Sequence, residues 1–391
     1  MAMCVIFGAG KIARGFIGHL LFLGGHEFIF IEKNRPLCDL INQKGRYTVN
    51  ILGAPEKNCV VKGGRAVCFE DTDEVLDALS KADLIFTAMG GKNLDSFCGI
   101  FSKYLNGCKA DRGKNPNIIT CENWKEPARF IKDRTAELLG ACADKLKNIG
   151  FAESVVMRSA IEPSPEQLEI DPLCVNVQDF WDLPVDEKAL KGRLPAIPCL
   201  RPVENFNGFL EKKFYTYNAA NGTVSYLGAL MGYRYIHEAA RDDFILRILS
   251  GVYSETGSAL SKKYSISGEE MKAFAQSSLN KLQDQNITDY IERNARDPMR
   301  KLGPDDRLVG SARLCLQHGV TPCHLAVSVA AAIHYTSEGD RSAQELAELR
   351  QSRGTGGVLR EVCGLEPGTP LYELVLEKEQ MLRELGLIQR G

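Results

Sequence analysis

The sequence lacks the features that mark secreted, membrane-spanning and zinc-binding proteins. Its thirteen cysteines are odd in number and include no Cys-x-x-Cys pair, and no secretory signal pattern precedes the first apolar run. Neither a disulfide framework nor a structural zinc site is therefore expected. No apolar run approaches the roughly 18 to 20 residues that a membrane helix needs. These absences predict a cytoplasmic protein with reduced thiols.

An excess of charge, an internal repeat and a low-complexity segment are also missing. The 391 residues are 44% hydrophobic and 25% charged, with a net charge of −2. This is the composition of an ordinary globular chain that is long enough for two domains. Such a balance does not attract nucleic acid or an anionic membrane, so any anion site must be local. We expect a small-molecule partner and a monomer or small homo-oligomer.

The N-terminal segment has the pattern of a strand, a glycine-rich turn and a helix. The apolar run Met3–Phe7 is typical of a buried parallel strand, and it leads into Gly8–Ala13. Gly8 permits a tight turn, Gly10 lets the backbone approach a pyrophosphate, and Ala13 allows close helix packing. The helix N-terminus then faces the phosphates. The predicted cofactor-binding residues are Gly8, Ala9, Gly10, Lys11, Ile12, Ala13, Glu32, Thr87 and Ala88.

An acidic residue after the second strand indicates which dinucleotide is bound. The run Phe28–Ile31 ends in Glu32, where a carboxylate would accept hydrogen bonds from ribose hydroxyls. This favours NAD over NADP, although Lys33 could offer its charge to a 2′-phosphate. A later strand, Ala82–Gly90, ends in small residues that commonly lie along the cofactor. The alternative is that the glycines only turn a corner and Glu32 is a solvated strand end.

Alternating strand and helix patterns in the first half predict a doubly wound sheet. Asn117–Trp124 is a predicted strand whose polar tip, with Asn123, emerges where substrate and nicotinamide should meet. Val155–Arg158 is predicted to be a further strand, and Tyr47–Val67 a small antiparallel insertion. Four prolines between positions 184 and 202 then interrupt any long element. We therefore expect a Rossmann domain at residues 1–195 and a substrate domain at 196–391.

Helical periodicity dominates the second half and predicts an all-helical domain. Apolar residues recur there at spacings of three and four. The predicted helices are Val203–Leu210, Gly222–Met231, Asp242–Lys263, Gly268–Leu282, Pro304–His318, Leu325–Tyr335, Ala343–Arg350 and Pro370–Leu385. The expected fold class is thus an α/β Rossmann domain followed by an all-α domain.

Lys213, Asn218 and Asn221 stand among apolar and small neighbours and form a candidate catalytic group. On a regular helix, Asn218 lies roughly 140° and Asn221 roughly 80° round from Lys213, so all three share one broad face. A lysine removes a proton from an alcohol only if burial or a nearby positive charge lowers its pKa, and amides can stabilise the oxyanion. The alternative is a helix end with a solvated lysine and capping asparagines. Lys212 is expected to be a solvated neighbour.

A basic cluster and two single residues complete the set of candidates. Arg296, Arg300 and Lys301 could bind a substrate phosphate or carboxylate, because arginine forks match such oxygens. A solvated basic edge is the equal alternative. His334 could contribute an imidazole if its helix reaches the site, but a satisfied core histidine is the stronger expectation. Arg14 could contact the pyrophosphate or form a surface pair.

Three motifs together resemble the polyol-specific long-chain dehydrogenases. They are Gly8–Gly18, Cys121–Asn123 and Lys213-x4-Asn218, and the resemblance runs over nearly the whole chain. It implies NAD-linked interconversion of a sugar alcohol, or its phosphate, and the matching ketose, for example mannitol 1-phosphate and fructose 6-phosphate, without a metal. It also implies Lys213 as the general base, with Asn123 and Asn218 as oxyanion-stabilising amides. Further matching segments are Phe209–Lys213, Tyr226–Gly228, Arg300–Leu302, Asp306–Leu308 and Gln344–Ala347.

Two positions depart from that family. The family motif continues with a histidine, and this chain has Asn221, which cannot take a proton. The strand signature Val-Asp-Arg becomes Val156-Met157-Arg158, so an apolar side chain replaces a carboxylate. Two alternatives to a polyol dehydrogenase therefore stay open. One is a non-catalytic NAD-binding relative, and the other is an oxidoreductase of a sugar acid such as an aldonate.

Overall fold

The computed structural model describes residues 1–107, 116–124 and 126–388. The chain divides into two compact units, Met1–Phe206 and Asn207–Gly391. The division follows residue 206, whereas the prolines placed it between 195 and 196. The reason is that a strand at Leu200–Val203 pairs in parallel with an earlier one at Leu183–Asp186. This pairing keeps the proline-rich segment in the first unit.

A six-stranded parallel sheet forms the centre of the first unit. Its strands lie in the order β5 Arg65–Cys68, β2 Glu27–Glu32, β1 Met3–Phe7, β6 Leu84–Thr87, β7 Asn117–Thr120 and β8 Phe151–Glu153, and every neighbouring pair is parallel. Counted along the chain, these six strands stand in the order 3-2-1-4-5-6 of a dinucleotide-binding sheet, so the predicted doubly wound fold is confirmed. The strands of the unit are β1 Met3–Phe7, β2 Glu27–Glu32, β3 Arg46–Leu52, β4 Cys59–Lys62, β5 Arg65–Cys68, β6 Leu84–Thr87, β7 Asn117–Thr120, β8 Phe151–Glu153, β9 Ala160–Ile161, β10 Val175–Gln178, β11 Leu183–Asp186 and β12 Leu200–Val203.

Both faces of this sheet are covered. In β1, Cys4 and Ile6 belong to one buried cluster, while Val5 and Phe7 belong to another on the opposite face. Such continuous apolar strands are typical of parallel sheets between helical layers. The helices of the unit are a π-helical segment Ala13–Gly18, α1 His19–Leu23, α2 Arg35–Lys44, α3 Thr72–Lys81, α4 Leu94–Gly107, α5 Pro127–Leu139, α6 Pro165–Ile170 and the 3₁₀ segments Pro55–Lys57, Gly91–Asn93, Gly140–Leu146 and Glu187–Ala189.

A smaller sheet of order β4-β3-β10-β9 contains the predicted insertion. β3 and β4 are antiparallel as expected, whereas β5 joins the main sheet. The prediction of a strand at Val155–Arg158 is wrong, because the ladder ends at β8. Instead Arg158 is buried, with its Nε donating to the Phe180 carbonyl at 2.7 Å and its guanidinium 3.9 Å from the Trp181 ring centroid. The apolar run Val155–Met157 is therefore followed by the buried guanidinium of Arg158 and not by a strand.

The second unit is built of helices around one apolar core, as predicted. Its described residues contain no strand and only an isolated bridge between Tyr235 and Tyr290. No helix among the described residues is long and apolar enough to cross a bilayer. The helices are α7 Phe206–Lys213, a π-helical segment Phe214–Asn218, α8 Ala219–Leu230, α9 Ile236–Ala239, α10 Asp243–Tyr264, α11 Gly268–Leu282, α12 Ile291–Ala295, α13 Pro298–Lys301, α14 Val309–Gln317, α15 Cys323–Ile333, α16 Arg341–Glu361 and α17 Pro370–Glu384.

Candidate active site

The glycine-rich turn after β1 leaves an open backbone cradle. Gly8 has a φ of +98°, which L side chains rarely adopt, and a Cβ there would overlap the carbonyl oxygen of Ala88. At Gly10, by contrast, no heavy atom lies within 4 Å of the Cβ position. The helix starts at Lys11 and Ile12, and its first N–H groups have no partner within the helix. The cradle can therefore accept an anionic group such as a pyrophosphate.

Glu32 lies at the tip of β2 and is tied to the same turn. Its Oε2 accepts a hydrogen bond from the N–H of Ala9 at 2.8 Å, and its Oε1 accepts one from the N–H of Asn34 at 3.0 Å. An ionised carboxylate has about four acceptor positions, so about two remain for ribose hydroxyls. The Nζ of Lys33 donates to Oδ1 of Asn93 at 3.2 Å. Its charge is engaged there and not beside Glu32.

Two basic side chains of the turn are held within the first unit. Nζ of Lys11 pairs with Oε2 of Glu162 at 2.5 Å on the surface. Arg14 is buried, and its Nη1 donates to the carbonyl of Ala9 at 2.6 Å. Burial lowers the pKa of Arg14. Arg14 thus supports the turn from inside. It does not form the surface pair that was one of the two alternatives expected for it.

The other predicted cofactor residues lie at the point where the strand order reverses. Thr87 is the buried last residue of β6, and Ala88 follows it against Gly8. Ala13 is fully buried on the helical side of the turn. β1 and β6 are neighbours in the sheet, and doubly wound sheets bind their ligands outside the carboxyl ends of the strands at such a reversal. These residues fit NAD.

Asn123 lies in the segment that follows β7, and its side chain is exposed. The preceding Glu122 accepts hydrogen bonds from the N–H groups of Met89 and Gly90, each at 2.9 Å. Burial raises the pKa of Glu122, and these two hydrogen bonds oppose the rise. Among the family departures, Met157 is buried in this unit. A carboxylate at that position would be buried as well.

Lys213, Asn218 and Asn221 lie on one continuous helical run in the second unit. α7 ends at Lys213, the π-helical segment spans Phe214–Asn218, and α8 follows directly. The N–H after this segment donates to the carbonyl of its first residue, which is an i→i+5 bond. A π turn takes more residues than an α turn. Asn218 therefore comes round closer to Lys213 than the roughly 140° expected for a regular α-helix.

The surroundings of Lys213 favour a neutral amine. The side chain is half-buried, and within the described ranges of the chain it makes no hydrogen bond or ion pair. Burial, and after it the positive charge of Arg307, lower the pKa of Lys213 to about 8. Burial and the charge of Lys213 likewise lower the pKa of Lys281 to about 8. The amine of Lys213 can thus give up its proton near neutral pH.

Arg307 stands beside this lysine with its charge only partly used. Its Nε donates to Oδ1 of Asp306 at 2.9 Å, and its guanidinium lies 5.4 Å from the ring centroid of Phe214. The side chain is 14% exposed. Its two terminal nitrogens have no hydrogen-bond partner in the part of the chain that the structure describes. These nitrogens can therefore bind an anion.

Asn221 is fixed by a chain of amide hydrogen bonds. Its Nδ2 donates to Oδ1 of Asn294 at 3.1 Å, and Nδ2 of Asn294 donates to Oδ1 of Asp289 at 2.6 Å. Nζ of Lys301 donates to the carbonyl of the same Asn294 at 2.5 Å. Asn221 is therefore held as a hydrogen-bond donor towards Asn294, while its own Oδ1 accepts no bond from any residue that the structure describes and can act as an acceptor.

The three residues predicted to bind a phosphate or carboxylate are not equally available. Arg300 pairs through Nε with Asp297 at 2.6 Å and through Nη1 with Asp306 at 3.2 Å. Lys301 is buried, and burial followed by the charges of two arginines lowers its pKa to about 8. Arg296 is exposed. The structure therefore brings Lys301 into the network of Asn221 and leaves Arg296 at the surface.

Two single-residue expectations have definite outcomes. The expectation that Lys212 is solvated is wrong, because this side chain is buried and pairs with Glu270 at 2.6 Å, with its Nζ 4.5 Å from the Phe274 ring centroid. The aromatic ring and the carboxylate make burial possible. His334 is a satisfied core histidine, as expected, since its Nε2 bonds with Glu379 at 2.8 Å.

Sequence reasoning missed three residues of these sites. Arg307 and Glu122 stand inside motifs that carried the family resemblance, and a closer look at charged residues in those motifs could have found both. Lys281 had no such signal, because only folding brings its helix near Lys213.

Two family models match this chain. The Rossmann domain of mannitol dehydrogenase matches residues 2–199, and the C-terminal domain of mannitol dehydrogenase matches residues 205–355. Two curated relatives carry the name mannitol-1-phosphate 5-dehydrogenase. The one from Caldanaerobacter subterraneus subsp. tengcongensis is 34% identical over 95% of this chain and 96% of its own length. The one from Thermoanaerobacter pseudethanolicus is 33% identical over 98% and 99%.

Solved structures share the fold at low sequence identity. A D-sorbitol dehydrogenase in substrate-free form has a TM-score of 0.83 at 15% identity, covering 98% of this chain and 93% of that one. The Pseudomonas fluorescens mannitol 2-dehydrogenase complex with NAD and D-mannitol has a TM-score of 0.69 at 15% identity, covering 99% and 92%.

Together the dinucleotide-binding sheet, the helical unit and these matches define an NAD-dependent oxidoreductase that acts on CH–OH groups. More particularly, the chain belongs to the mannitol dehydrogenase family. The resemblance to polyol-specific dehydrogenases that the motifs indicated is thereby confirmed, and so are the predicted class of enzyme and its cofactor.

Proposed function

We propose that this enzyme interconverts a sugar alcohol phosphate and the matching ketose phosphate, as the names of its relatives suggest for mannitol 1-phosphate. Lys213 is the general base. The observation that carries this proposal is a half-buried lysine with a pKa of about 8, on one helical face with Asn218 and beside Arg307. Free cysteines throughout the described residues accord with a cytoplasmic enzyme.

The proposed chemistry moves one proton and one hydride. Nζ of Lys213, in its neutral form, takes the hydroxyl proton of the alcohol, and the carbinol carbon then loses hydride to become the ketone carbon. Bound NAD supplies the hydride acceptor at the nicotinamide ring. The Asn218 amide donates a hydrogen bond to the developing oxyanion. Asn123 is a proposed second donor of this kind, and Asn221 orients the substrate oxygen.

The decisive experiment compares two lysine variants. Lys213→Ala should lower the rate of NAD-dependent oxidation of mannitol 1-phosphate by about a thousandfold or more, because the proton loses its acceptor. The matched control is Lys272→Ala, an exposed lysine on α11, which should leave the rate unchanged. Retention of most activity in Lys213→Ala would remove Lys213 as the base.

The pH dependence of the two directions adds a second test. Because only the neutral amine accepts a proton, alcohol oxidation should rise with pH and level off above the Lys213 pKa of about 8. Ketose reduction needs the protonated amine, so it should fall above the same pH. Arg307→Gln removes a positive neighbour and should move both profiles to higher pH. Unchanged pH profiles in Arg307→Gln would show that the charge of Arg307 does not influence the pKa of Lys213.

We further propose that Arg307 binds the anionic group of the substrate. Arg296, Arg300 and Lys301 stay candidates, but Arg300 is already paired with two aspartates and Lys301 is buried. The support for Arg307 is its pair of terminal nitrogens without a partner among the described residues. A bidentate contact with phosphate oxygens is the geometry that guanidinium groups favour.

The test compares phosphorylated and unphosphorylated substrates. Arg307→Met should raise KM for mannitol 1-phosphate by about ten- to a hundredfold, since a charge-assisted contact is worth roughly 1.5 to 3 kcal/mol. It should change the rate with mannitol much less. Arg296→Met is the control with an exposed side chain. A larger effect in that control would move the phosphate site to Arg296, and faster turnover of an aldonate would favour the sugar-acid alternative.

A further inference from the structure

The loop that follows β6 forms one wall of the crevice at the strand reversal. Its residue Ala88 lies directly against Gly8. A Cβ on Gly8 would overlap the Ala88 carbonyl oxygen and come within 3.1 Å of the Met89 Cα. The loop turns at Gly90, whose φ is +83°. Asn93 closes it by donating from Nδ2 to the Met89 carbonyl at 2.7 Å. The loop therefore borders the place where doubly wound sheets hold a dinucleotide.

Glu122 holds this loop from the side of β7. Its Oε1 accepts the Met89 N–H and its Oε2 accepts the Gly90 N–H, both at 2.9 Å, so one carboxylate bridges two consecutive peptide groups. Thr87 also lies close to this carboxylate. A charged acceptor makes stronger hydrogen bonds to backbone N–H groups than a neutral one does. Glu122 thus fixes the backbone of the loop at two adjacent points.

Trp124 holds the same loop at its next residue. A Cβ on Gly91 would overlap the Trp124 indole, so the ring lies directly on the backbone of Gly91. Trp124 as a residue is nevertheless 49% exposed, which is unusual for the largest apolar side chain. The packing needs a glycine at position 91, because any larger residue would displace the ring.

Asn123 stands between these two holding residues. We propose that Glu122 and Trp124 are positioning residues, which lock the Asn123 amide to the cofactor-facing loop so that NAD(H) binding and the placement of Asn123 depend on each other. The inference rests on the proposed role of Asn123 as an oxyanion donor. It adds that the segment 122–124 transmits the presence of cofactor to that amide.

The first test measures NADH binding, which does not depend on any sugar substrate. Glu122→Gln keeps the shape but turns an NH₂ donor towards one of the two backbone N–H groups. We expect NADH to bind about 5- to 50-fold more weakly, because a half-buried N–H loses its acceptor. The melting temperature without NADH serves as the control for folding. Unchanged NADH affinity in Glu122→Gln would overturn the proposal.

The second test uses the overlap at Gly91. Gly91→Ala should displace the Trp124 ring and lower kcat about tenfold or more. In a protein that already carries Trp124→Ala, the Gly91→Ala change should lower kcat little further, because the ring is gone. Compared with Trp124→Ala, the variant Trp124→Phe should restore most of the wild-type kcat. Additive effects of the Gly91 and Trp124 changes would overturn the coupling.

The third test connects the segment to Asn123 itself. In an Asn123→Ala background, Trp124→Ala should cost little further kcat, since its effect passes through the missing amide. The chain has two tryptophans, so Trp181→Phe leaves Trp124 as the only indole, and its emission should change on binding of NAD⁺, which does not absorb tryptophan emission as NADH does. No emission change would contradict the coupling. An emission change in a protein without sugar-phosphate turnover would keep the coupling and remove the proposed function instead.

Discussion

The two units of this protein build their functional groups in different ways. In the first unit the proposed cofactor cradle consists mainly of backbone, with Gly8 at positive φ and Glu32 tied to the N–H of Ala9. In the second unit the proposed reactive group is a side chain, Lys213, whose pKa depends on burial and on Arg307. The cradle is encoded within about thirty residues, whereas the lysine depends on segments far apart in the chain.

This difference teaches which substitutions each unit tolerates. A backbone cradle is sensitive to added atoms, because its function is empty space and unused N–H groups. A tuned side chain is sensitive to lost partners, since burial and neighbouring charges set its protonation.

Loss of a buried carboxylate should unfold the second unit most readily. Oε1 of Glu379 accepts hydrogen bonds from His334 at 2.8 Å, Thr355 at 2.7 Å and Arg383 at 2.6 Å. Glu379→Ala should lower the free energy of unfolding by about 3 to 5 kcal/mol, because buried partners are left unpaired. Denaturant melts measure the loss, with Glu377→Ala as the exposed control on the same helix. A loss below about 1 kcal/mol would contradict the assignment.

The Glu379 carboxylate should also make the stability of the second unit depend on pH in the acid range. Burial alone would raise the pKa of Glu379, but hydrogen bonds from His334, Thr355 and Arg383 bring it down to about 2 from an ordinary 4.5. Its stabilisation is therefore complete above about pH 4.5 and is lost as the pH falls towards 2. The free energy of unfolding of the wild type should exceed that of Glu379→Gln by a constant amount above this window, and the difference should shrink within the window as the pH falls. Parallel titration curves would refute this.

Two neighbouring glycines should separate folding from cofactor binding in the first unit. Gly8→Ala introduces both a disfavoured φ and an overlap with Ala88. It should weaken NADH binding about a hundredfold and lower stability by about 1 to 3 kcal/mol. At Gly10 the Cβ position is open, so Gly10→Ala should keep stability and weaken only NADH binding. Equal melting temperatures for both variants would contradict the contrast.

Loss of the Asp306 carboxylate, which binds two arginines, should have a smaller effect, on substrate binding. The carboxylate bonds to Arg307 at 2.9 Å and to Arg300 at 3.2 Å. Asp306→Asn should raise KM for the phosphorylated substrate about tenfold, because Arg307 loses the partner that orients its fork. Asp305→Asn is the neighbouring control. A change in kcat without a change in KM would place Asp306 in another role.

Restoring the family histidine should have the smallest effect. Nδ2 of Asn221 donates to Asn294 at 3.1 Å, and an imidazole N–H can make a similar bond. Asn221→His should therefore fold normally and change kcat by less than about tenfold, corresponding to one hydrogen bond. Steady-state kinetics at several pH values measure it. A larger gain would show that the asparagine limits the reaction.

Sequence patterns predicted the regular elements better than the surroundings of the site. Continuous apolar strands and the motif Gly8–Ala13 predicted the sheet, because parallel strands are buried on both faces whatever lies beyond them. The error at Val155–Arg158 came from the same rule, since the apolar run there ends in a buried arginine and forms no ladder. The π-helical segment Phe214–Asn218 was not predicted either, because its wider turn leaves no simple periodic signature.

The sequence by itself determined the class of fold, the dinucleotide cradle and the positions of Lys213, Asn218 and Asn221 on one helix, because these follow from local spacing. The tertiary structure alone decided which charges surround Lys213. Arg307 and Lys281 lie 94 and 68 positions further along the chain, and only packing brings their charges near the amine. A pKa depends on burial and on neighbouring charge, and neither quantity exists until the chain has folded.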